Sequence, residues 1–248
     1  MSMIILLGWS VWVGAQEKPT SVLAVSAEWE GYSQSDGSGL YWDVLHAAYA
    51  LAGITVNIQI VPWRRAQKMM EDHLADVIPG ISPYTDTCCL FSEHLLDNGQ
   101  IVAMFKPQHF PTWNGIESLQ GKRVGWLRGY DYEKRLPFEV KKYEYESVES
   151  GLQMLEKDRI DSVLDYDYTI ESAAENLNLD LNRFTIVEAL PDPLYMGFSK
   201  TPRGQQLLEI YDEQIEALYQ RGELQKIYQK WGFEFEQDQF LFHYVGTP

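Results

Sequence analysis

The sequence predicts an α/β fold built from two lobes in tandem. Between residues 21 and 80, strand-like apolar runs alternate with helix-like stretches at short spacing. This order is typical of a parallel sheet covered by helices. A second set of the same kind begins at residue 121, and two further extended segments, 99–107 and 192–200, lie outside both sets.

The first set contains three strand candidates and two helix candidates. The strand candidates are 21–29, 54–63 and 75–80, and the helix candidates are 40–53 and 66–76. Apolar residues alternate with polar ones from Ile54 to Ile60, which is the period of a half-buried strand. Gly53 is the stop signal of the first helix.

The second set repeats this order. Its strand candidates are 121–129, 162–166 and 183–190, and its helix candidates are 146–162 and 168–178. The C-terminal stretch, 201–232, has apolar residues at helical spacing and a break at Gly222. We therefore expect two consecutive helices after the second set, one on each side of Gly222.

The composition excludes several classes of partner. The formal net charge is −16. Such an excess of acid repels the phosphates of nucleic acids and does not favour an anionic membrane surface. The charge leaves a small-molecule ligand open, because a local basic site can sit on an acidic protein.

The N-terminus predicts a secretory signal peptide over residues 1–15. An apolar run from Met3 to Val13 precedes a small-x-Ala ending at Ala15. The run is shorter than the roughly 20 residues that span a bilayer. No Lys or Arg precedes it, and a first core strand is the alternative. With the signal peptide, we expect the mature protein in the periplasm.

Export would bring two adjacent cysteines, Cys88 and Cys89, into an oxidising compartment. A disulfide between neighbouring residues closes a strained ring. We therefore expect two small buried thiols.

Five stretches in the same order resemble the family-3 extracellular solute-binding proteins, the periplasmic receptors of polar amino-acid ABC importers. They are GLYWDVLHAAYALAG (39–53), VPWRRAQKMMEDHLADVIPG (61–80), LQGKRVGWLRGYDYEK (119–134), LEKDRIDSVLDYD (155–167) and GELQKIYQKWG (222–232). The resemblance covers nearly all of the chain after the signal peptide.

The resemblance implies two Rossmann-like lobes joined by a two-strand hinge, as in type II periplasmic binding proteins. The first lobe would comprise 20–104 and 198–240 and the second 105–197, with 241–248 as a C-terminal tail. A small polar ligand, an amino acid or a related organic molecule, would bind in the cleft and stabilise the closed state. A monomer would then present this state to the permease of an ABC importer, or to a membrane sensor protein as the alternative.

The sequence departs from the family at the residue that binds the ligand's carboxylate. Family members for amino acids usually carry an Arg shortly before a Phe-Ser pair, and here Thr85 stands at that position. Between Arg65 and Arg123 there is no Arg at all. The aspartate that holds the ligand's α-amino group in the family corresponds to Asp165, for which a helix-capping role is the alternative.

Trp63, Arg64 and Arg65 follow a strand, where open α/β sheets bind ligands. Arg is suited to a bidentate grip on a carboxylate, and Trp forms an amphipathic wall. We expect Trp63 to line the cleft and one of the two Args to replace the missing carboxylate-binding Arg. In the alternative, Trp63 is core and both Args pair with acids such as Glu71 or Asp72.

Two loops supply the remaining candidates. Trp29 and Tyr32 lie in the first strand-to-helix loop, either over the ligand or packed beneath the loop. Arg128, Tyr130 and Asp131 stand between a strand and an expected helix, whose N–H groups would bind an anion. Asp131 would repel that anion, and Arg128 could offset this repulsion.

The sequence gives little support for catalysis. Its five His residues match no metal-binding spacing, and there is no nucleophile elbow or phosphate-binding Gly loop. We expect no cofactor and no metal. A periplasmic cyclohexadienyl dehydratase, an enzyme of the same family, is the weaker alternative, with Glu30, Asp131 and Asp165 as its acids.

Overall fold

The computed structural model describes residues 17–84 and 88–235. The strands are β1 (Ser21–Ser26), β2 (Thr55–Ile60), β3 (Val77–Ile81), β4 (Cys89–Phe105), β5 (Arg123–Leu127), β6 (Lys141–Tyr145), β7 (Ser162–Tyr166) and β8 (Thr185–Ser199). The α-helices are α1 (Leu40–Ala52), α2 (Trp63–Glu71), α3 (Val148–Glu156), α4 (Asp167–Leu177), α5 (Pro202–Gln220) and α6 (Glu223–Lys230). The strands form one sheet in the order β2-β1-β3-β8-β4-β7-β5-β6.

The first lobe contains β1, β2 and β3, which are parallel, with α1, α2, α5 and α6. Side chains of β1, α1, α5 and α6 share one buried core. Helix α1 ends at Gly53 in the left-handed conformation, as predicted, since glycine adopts a φ of 71° without steric penalty. The predicted break at Gly222 separates α5 from α6.

The second lobe contains β5, β6 and β7, also parallel, with α3 and α4. Leu152 and Leu155 of α3 pack with Ile170 of α4 and with Val163 of β7. Strand β6, KKYEY, was missed in the sequence. It is an edge strand with mostly exposed side chains, so it lacks the apolar pattern from which strands are recognised.

Two long strands, β4 and β8, run antiparallel through the middle of the sheet. They pair from Cys89 with Ser199 to Phe105 with Thr185. The predicted extended segments are the C-terminal parts of these strands. Gly99 faces Asp192 where the strands pass from one lobe to the other, and a Cβ on Gly99 would lie 2.8 Å from the Asp192 carbonyl oxygen. Glycine is required there by this close approach.

The expectation of two free thiols is wrong. Cys88 and Cys89 are buried, as predicted, but they are joined by a disulfide. The ring spans a single peptide unit, with the two Cα atoms 3.8 Å apart at the start of β4. The prediction of free thiols rested on the strain of this ring. The chain bends at Cys88, and the two sulfur atoms are bonded there.

The predicted signal peptide, 1–15, and the tail, 241–248, lie outside the described residues. In the part of the chain that the structure describes, every helix is too short or too polar to cross a bilayer.

A buried ion pair ties the second lobe to β8. Arg135, in the loop between β5 and β6, donates to Asp192 at 2.7 Å, and both side chains are less than a tenth exposed. Burial raises the pKa of Asp192, and Arg135 opposes that shift. Tyr166 also donates to Asp192, at 2.5 Å. The carboxylate therefore holds a β7 side chain and a loop side chain against β8.

We predict that Arg135→Leu destabilises the protein by about 3–5 kcal/mol, because it leaves the buried Asp192 without its counter-charge. Urea unfolding measures this loss. Arg183→Leu is the control, since it removes the exposed pair with Glu156 and is expected to change stability by less than about 1 kcal/mol. Equal losses in the two variants would contradict the prediction.

Candidate functional site

A cavity of about 320 Å³ lies between the lobes, at the carboxyl ends of β1, β2, β5, β6 and β7. It is called the outer cavity here. Its lining residues are 27–30, 62–64, 127–128, 130, 145–149, 168–169 and 172–173. Both lobes contribute, and strand ends are the usual place for ligands in open α/β sheets. Its size and position make it the candidate ligand site.

Aromatic rings form much of the wall of the outer cavity. The ring centres of Trp29 and Trp63 lie 4.9 Å apart. Trp63 is the first residue of α2 and is 7% exposed. Tyr130 and Tyr168 supply the rings of the second lobe. Tyr145 is also a lining residue, but its ring packs against Gly125 and Gly151 in the core of that lobe. Tyr145 and Tyr168 were missed in the sequence, where only the acids near β7 were weighed.

A smaller space of about 30 Å³, called the inner cavity, lies deeper between the lobes. It is lined by Trp29, Tyr41, Trp63, Gly80, Ser82, Tyr130, Tyr132, Tyr166, Tyr168, Asp192 and Leu194. Within the described residues, the buried hydroxyl of Tyr132 has no hydrogen-bond partner. In this closed arrangement the inner cavity has space for only a water-sized group.

Asp165 lies beneath the outer cavity rather than on its wall. It is fully buried at the end of β7. Its Oδ1 accepts from Thr169 Oγ1 at 2.6 Å and from the Tyr166 N–H at 2.8 Å, whereas its Oδ2 has no partner in the described chain. Thr169 itself lines the outer cavity. Burial raises the pKa of Asp165 to about 7, and these two hydrogen bonds only partly oppose the shift.

The candidate arginines occupy different places. Arg64 lines the outer cavity, with Nη1 3.4 Å from Gln67 Oε1 and 3.6 Å from Glu71. Arg65 is exposed and is not part of the lining. Arg128 lines the cavity and pairs with Glu146 at 2.9 Å. The alternative of pairing with Glu71 therefore fits Arg64, and the lining arginines are both engaged with acids.

The expected anion-binding helix after Asp131 is wrong. Only a four-residue 3₁₀ turn, Tyr132–Arg135, follows, and β6 comes after it. Asp131 has a φ of 51°, lies outside the cavity lining and pairs with Lys134 at 2.7 Å. Tyr130, in contrast, lines both cavities.

Tyr32 does not reach the lining. Tyr32 is buried and packs against the rings of Tyr41, Tyr168 and Phe233, at centre distances of 5.0, 4.9 and 4.6 Å. This placement fits the packing alternative. Thr85 lies outside the described residues.

The charged side chains around the outer cavity are predominantly acidic. Four glutamates and the two arginines line it; the glutamates are Glu28, Glu30, Glu146 and Glu149. Of these four glutamates, only Glu30 was a candidate in the sequence, as an acid of the weaker enzyme alternative. In the described chain, no group of three or more His, Cys, Asp or Glu is placed to hold a metal.

Contacts across the cleft hold the two lobes together. Ser172 of α4 donates to Glu30 at 3.1 Å. The buried Gln67 of α2 donates to the carbonyl oxygen of Gly129 at 3.0 Å. Gly129 has a φ of 91°, and a Cβ there would lie 2.7 Å from Gln67 Oε1. The structure is therefore a closed state in which both lobes contribute to the cavity.

A family model for bacterial extracellular solute-binding proteins, family 3, matches residues 22–234. Among solved structures, the substrate-binding protein of an amino acid ABC transporter is similar at 17% identity and a TM-score of 0.67, over 86% of this chain and 99% of that one. A Streptococcus pneumoniae ABC uptake transporter substrate-binding protein with bound histidine gives 22% and 0.67, over 86% and 92%.

A histidine kinase sensor domain with similarity to periplasmic binding proteins gives 15% identity and a TM-score of 0.70, over 89% of this chain and 100% of that one. A search of curated proteins found no match. At these identities the structural likeness establishes the fold alone. This structural likeness confirms the predicted α/β fold of two lobes joined by two strands. The family match confirms the resemblance to the family-3 solute-binding proteins that the sequence showed.

We predict that Asp165 makes the stability of the protein fall as pH rises from about 4 to 7. A carboxyl whose pKa rises on folding, here from 3.8 to about 7, stabilises the folded state below 3.8, and this contribution is lost as pH rises through the folded value. The upper limit of the effect is about 4 kcal/mol, at 1.36 kcal/mol per pKa unit. Among the titratable groups that interact with Asp165 are the phenols of Tyr130, Tyr132, Tyr145 and Tyr168. Burial raises the pKa of each phenol, so all four remain neutral over this range.

Asp165→Asn should therefore be more stable relative to the wild type at pH 8 than at pH 5. Denaturant unfolding at both values gives this difference. The comparison with the wild type isolates Asp165, since Asp97 and Asp212, with pKa values raised to about 6 and about 7 by burial, titrate in both proteins. Parallel pH profiles for the two proteins would refute the assignment.

Proposed function

The chain belongs to the bacterial extracellular solute-binding proteins of family 3, and we propose that it captures a small polar solute in the outer cavity by hinge closure. The solute would be an amino acid or a related small organic molecule, delivered in the periplasm to the permease of an ABC importer. The protein would act as a monomer and in binding rather than in catalysis.

The observation that carries this proposal is a cavity whose wall is shared by both lobes. Trp29 and Trp63 come from the first lobe, and Tyr130 and Tyr168 come from the second. A solute held between them makes contacts only when the lobes are closed, so binding and closure are linked. Of the predicted site residues, Trp29, Trp63, Arg64, Arg128 and Tyr130 line this cavity, which supports the proposal that they contact the solute.

The hinge would be the paired strands β4 and β8. We propose the lobe boundaries 20–104 with 198–240, and 105–197, with the passage between the lobes inside β4 and β8. Strands β1, β2 and β3 lie on the β8 side of this pair, and β5, β6 and β7 lie on the β4 side. Only two chain segments then need to bend for the lobes to open. The direct contacts Gln67–Gly129 and Glu30–Ser172 would form on closure.

A second candidate is a ligand-sensing input for a membrane signalling protein. The similarity to a histidine kinase sensor domain favours it. Deletion of the gene distinguishes the two roles. Loss of uptake of the labelled solute supports delivery to an importer, whereas normal uptake with a lost transcriptional response supports sensing.

We predict that a screen of amino acids, organic acids and amines raises the melting temperature with at least one compound, because a ligand bound only by the folded state stabilises it. Small-angle X-ray scattering should show a smaller radius of gyration on binding. Trp63→Ala should weaken binding about tenfold or more, because it removes a ring wall. Tyr143→Ala is the control, since this ring is exposed on β6 outside the cavity. Equal effects of the two variants would remove the cavity from the proposal.

We predict that Gln67→Ala weakens binding of the same hit by about 2- to 12-fold, through loss of one hydrogen bond worth about 0.5–1.5 kcal/mol in the closed state. Scattering of the free protein should also shift toward an open form. Gln205→Ala, on the exposed face of α5, is the matched control. Unchanged affinity in Gln67→Ala would mean that the Gln67–Gly129 contact does not contribute to closure.

A further inference from the structure

We propose that the solute is an organic cation, recognised in the outer cavity through its ammonium groups and not through a carboxylate. This inference rests on the proposed function, because it assigns the chemical class of solute that the same cavity binds. It reverses the expectation of a carboxylate-binding arginine in the cleft.

The first support is the charge of the lining. Four glutamates against two arginines leave a net formal charge of −2 around a partly enclosed space. Glu28, Glu30 and Glu149 accept hydrogen bonds from neutral groups of Ser35, Ser172 and Asn176. Within the described residues, none of these three forms an ion pair. Their field therefore favours a positive solute and disfavours an anion.

The second support is the state of the two arginines. Arg128 is paired with Glu146 at 2.9 Å, and Arg64 lies 3.6 Å from Glu71 and 3.4 Å from Gln67. An anionic solute would have to compete with these acids for either guanidinium. Both arginine side chains are about half exposed, so these pairs reduce, rather than cancel, the attraction of either guanidinium for a carboxylate.

The third support is the aromatic wall. Trp29 and Trp63 line the cavity from the first lobe, and Tyr130 and Tyr168 line it from the second. Ring faces attract cations electrostatically, and Trp does so most strongly. A cavity that combines rings with unpaired carboxylates is complementary to an alkylammonium or guanidinium group, whose N–H groups bond to oxygen while its carbon atoms contact the rings.

The fourth support is the partnerless oxygen beneath the cavity. Asp165 is fully buried and, within the described residues, its Oδ2 accepts no hydrogen bond. A buried acceptor without a donor is unfavourable unless a ligand or water supplies one. Thr169, which is bonded to Asp165 Oδ1, lines the outer cavity. An ammonium group next to Thr169 would therefore have Asp165 nearby, as a fifth acidic group besides the four glutamates of the lining.

The test compares matched pairs that differ by one carboxylate: agmatine with L-arginine, and cadaverine with L-lysine. L-Glutamate and L-glutamine represent the anionic and neutral classes. Isothermal titration at low ionic strength should give each amine a dissociation constant no larger than that of its amino acid. Glutamate should not bind, and added salt should weaken the amines.

Variants that remove one charged side chain of the lining test whether charge determines the affinity for agmatine. Glu149→Gln should weaken agmatine about 3- to 10-fold, whereas Glu175→Gln, an exposed residue of α4 outside the lining, should leave it unchanged. Arg128→Gln frees Glu146 and should tighten agmatine about threefold or more. Thermal unfolding shows that each variant is folded.

The proposal is overturned if an amino acid binds more tightly than its amine, if glutamate binds, or if Arg128→Gln weakens the hit. In those cases the solute is recognised by its carboxylate and the proposed function stands. The absence of binding by every amine overturns the cation assignment, while a thermal shift with another class of compound keeps the proposed function. If no class of compound binds, both proposals fail.

Discussion

The antiparallel pairing of β4 with β8 is the constraint on which the rest of the structure depends. These two strands are hydrogen-bonded to each other through both lobes, and every other strand lies on one side or the other of the pair. Their pairing sets the spacing between the lobes and brings the carboxyl ends of the remaining strands to one cleft. The passage from one lobe to the other at Gly99 and Asp192 allows almost no side-chain volume, which is why glycine stands there.

The same point in the fold connects the hinge to the site. Asp192 belongs to β8, yet it lines the inner cavity and accepts bonds from Arg135 and Tyr166. Tyr166 precedes Tyr168, whose ring stacks on it at 5.5 Å and forms part of the outer wall. A buried charge network at the strand crossing therefore orders the aromatic rings of the second lobe. Breaking a buried ion pair leaves an uncompensated charge, so the network holds the Tyr166 ring, on which Tyr168 stacks, in place.

The chemistry of the cleft follows from which charges find partners during folding. Arginines and glutamates are both present at the strand ends. The lining arginines pair with acids, whereas Glu28, Glu30 and Glu149 form no ion pair within the described residues. Burial then separates Asp165 from solvent and favours its protonated form, which a cationic neighbour would reverse. If the outer cavity binds the proposed cation, its selectivity is a property of this pairing pattern rather than of any single residue.

The order of the helices and of every strand except β6, together with the turn at Gly53, was accessible from the sequence, because apolar periodicity and glycine conformation are local properties. The family was accessible from the resemblance of five stretches. Trp63 and Trp29 were found in the same way, as large rings beside strand ends. The structure alone decided that Tyr32 packs inward, that Asp131 precedes a 3₁₀ turn, and that Cys88 and Cys89 are bonded. It also decided that Arg128 pairs with Glu146, a residue 18 positions away. Such pairings depend on which strand ends meet in space. For Arg128 and Glu146 this is set by the parallel pairing of β5 with β6, in which Leu127 lies opposite Tyr145, rather than by any local pattern.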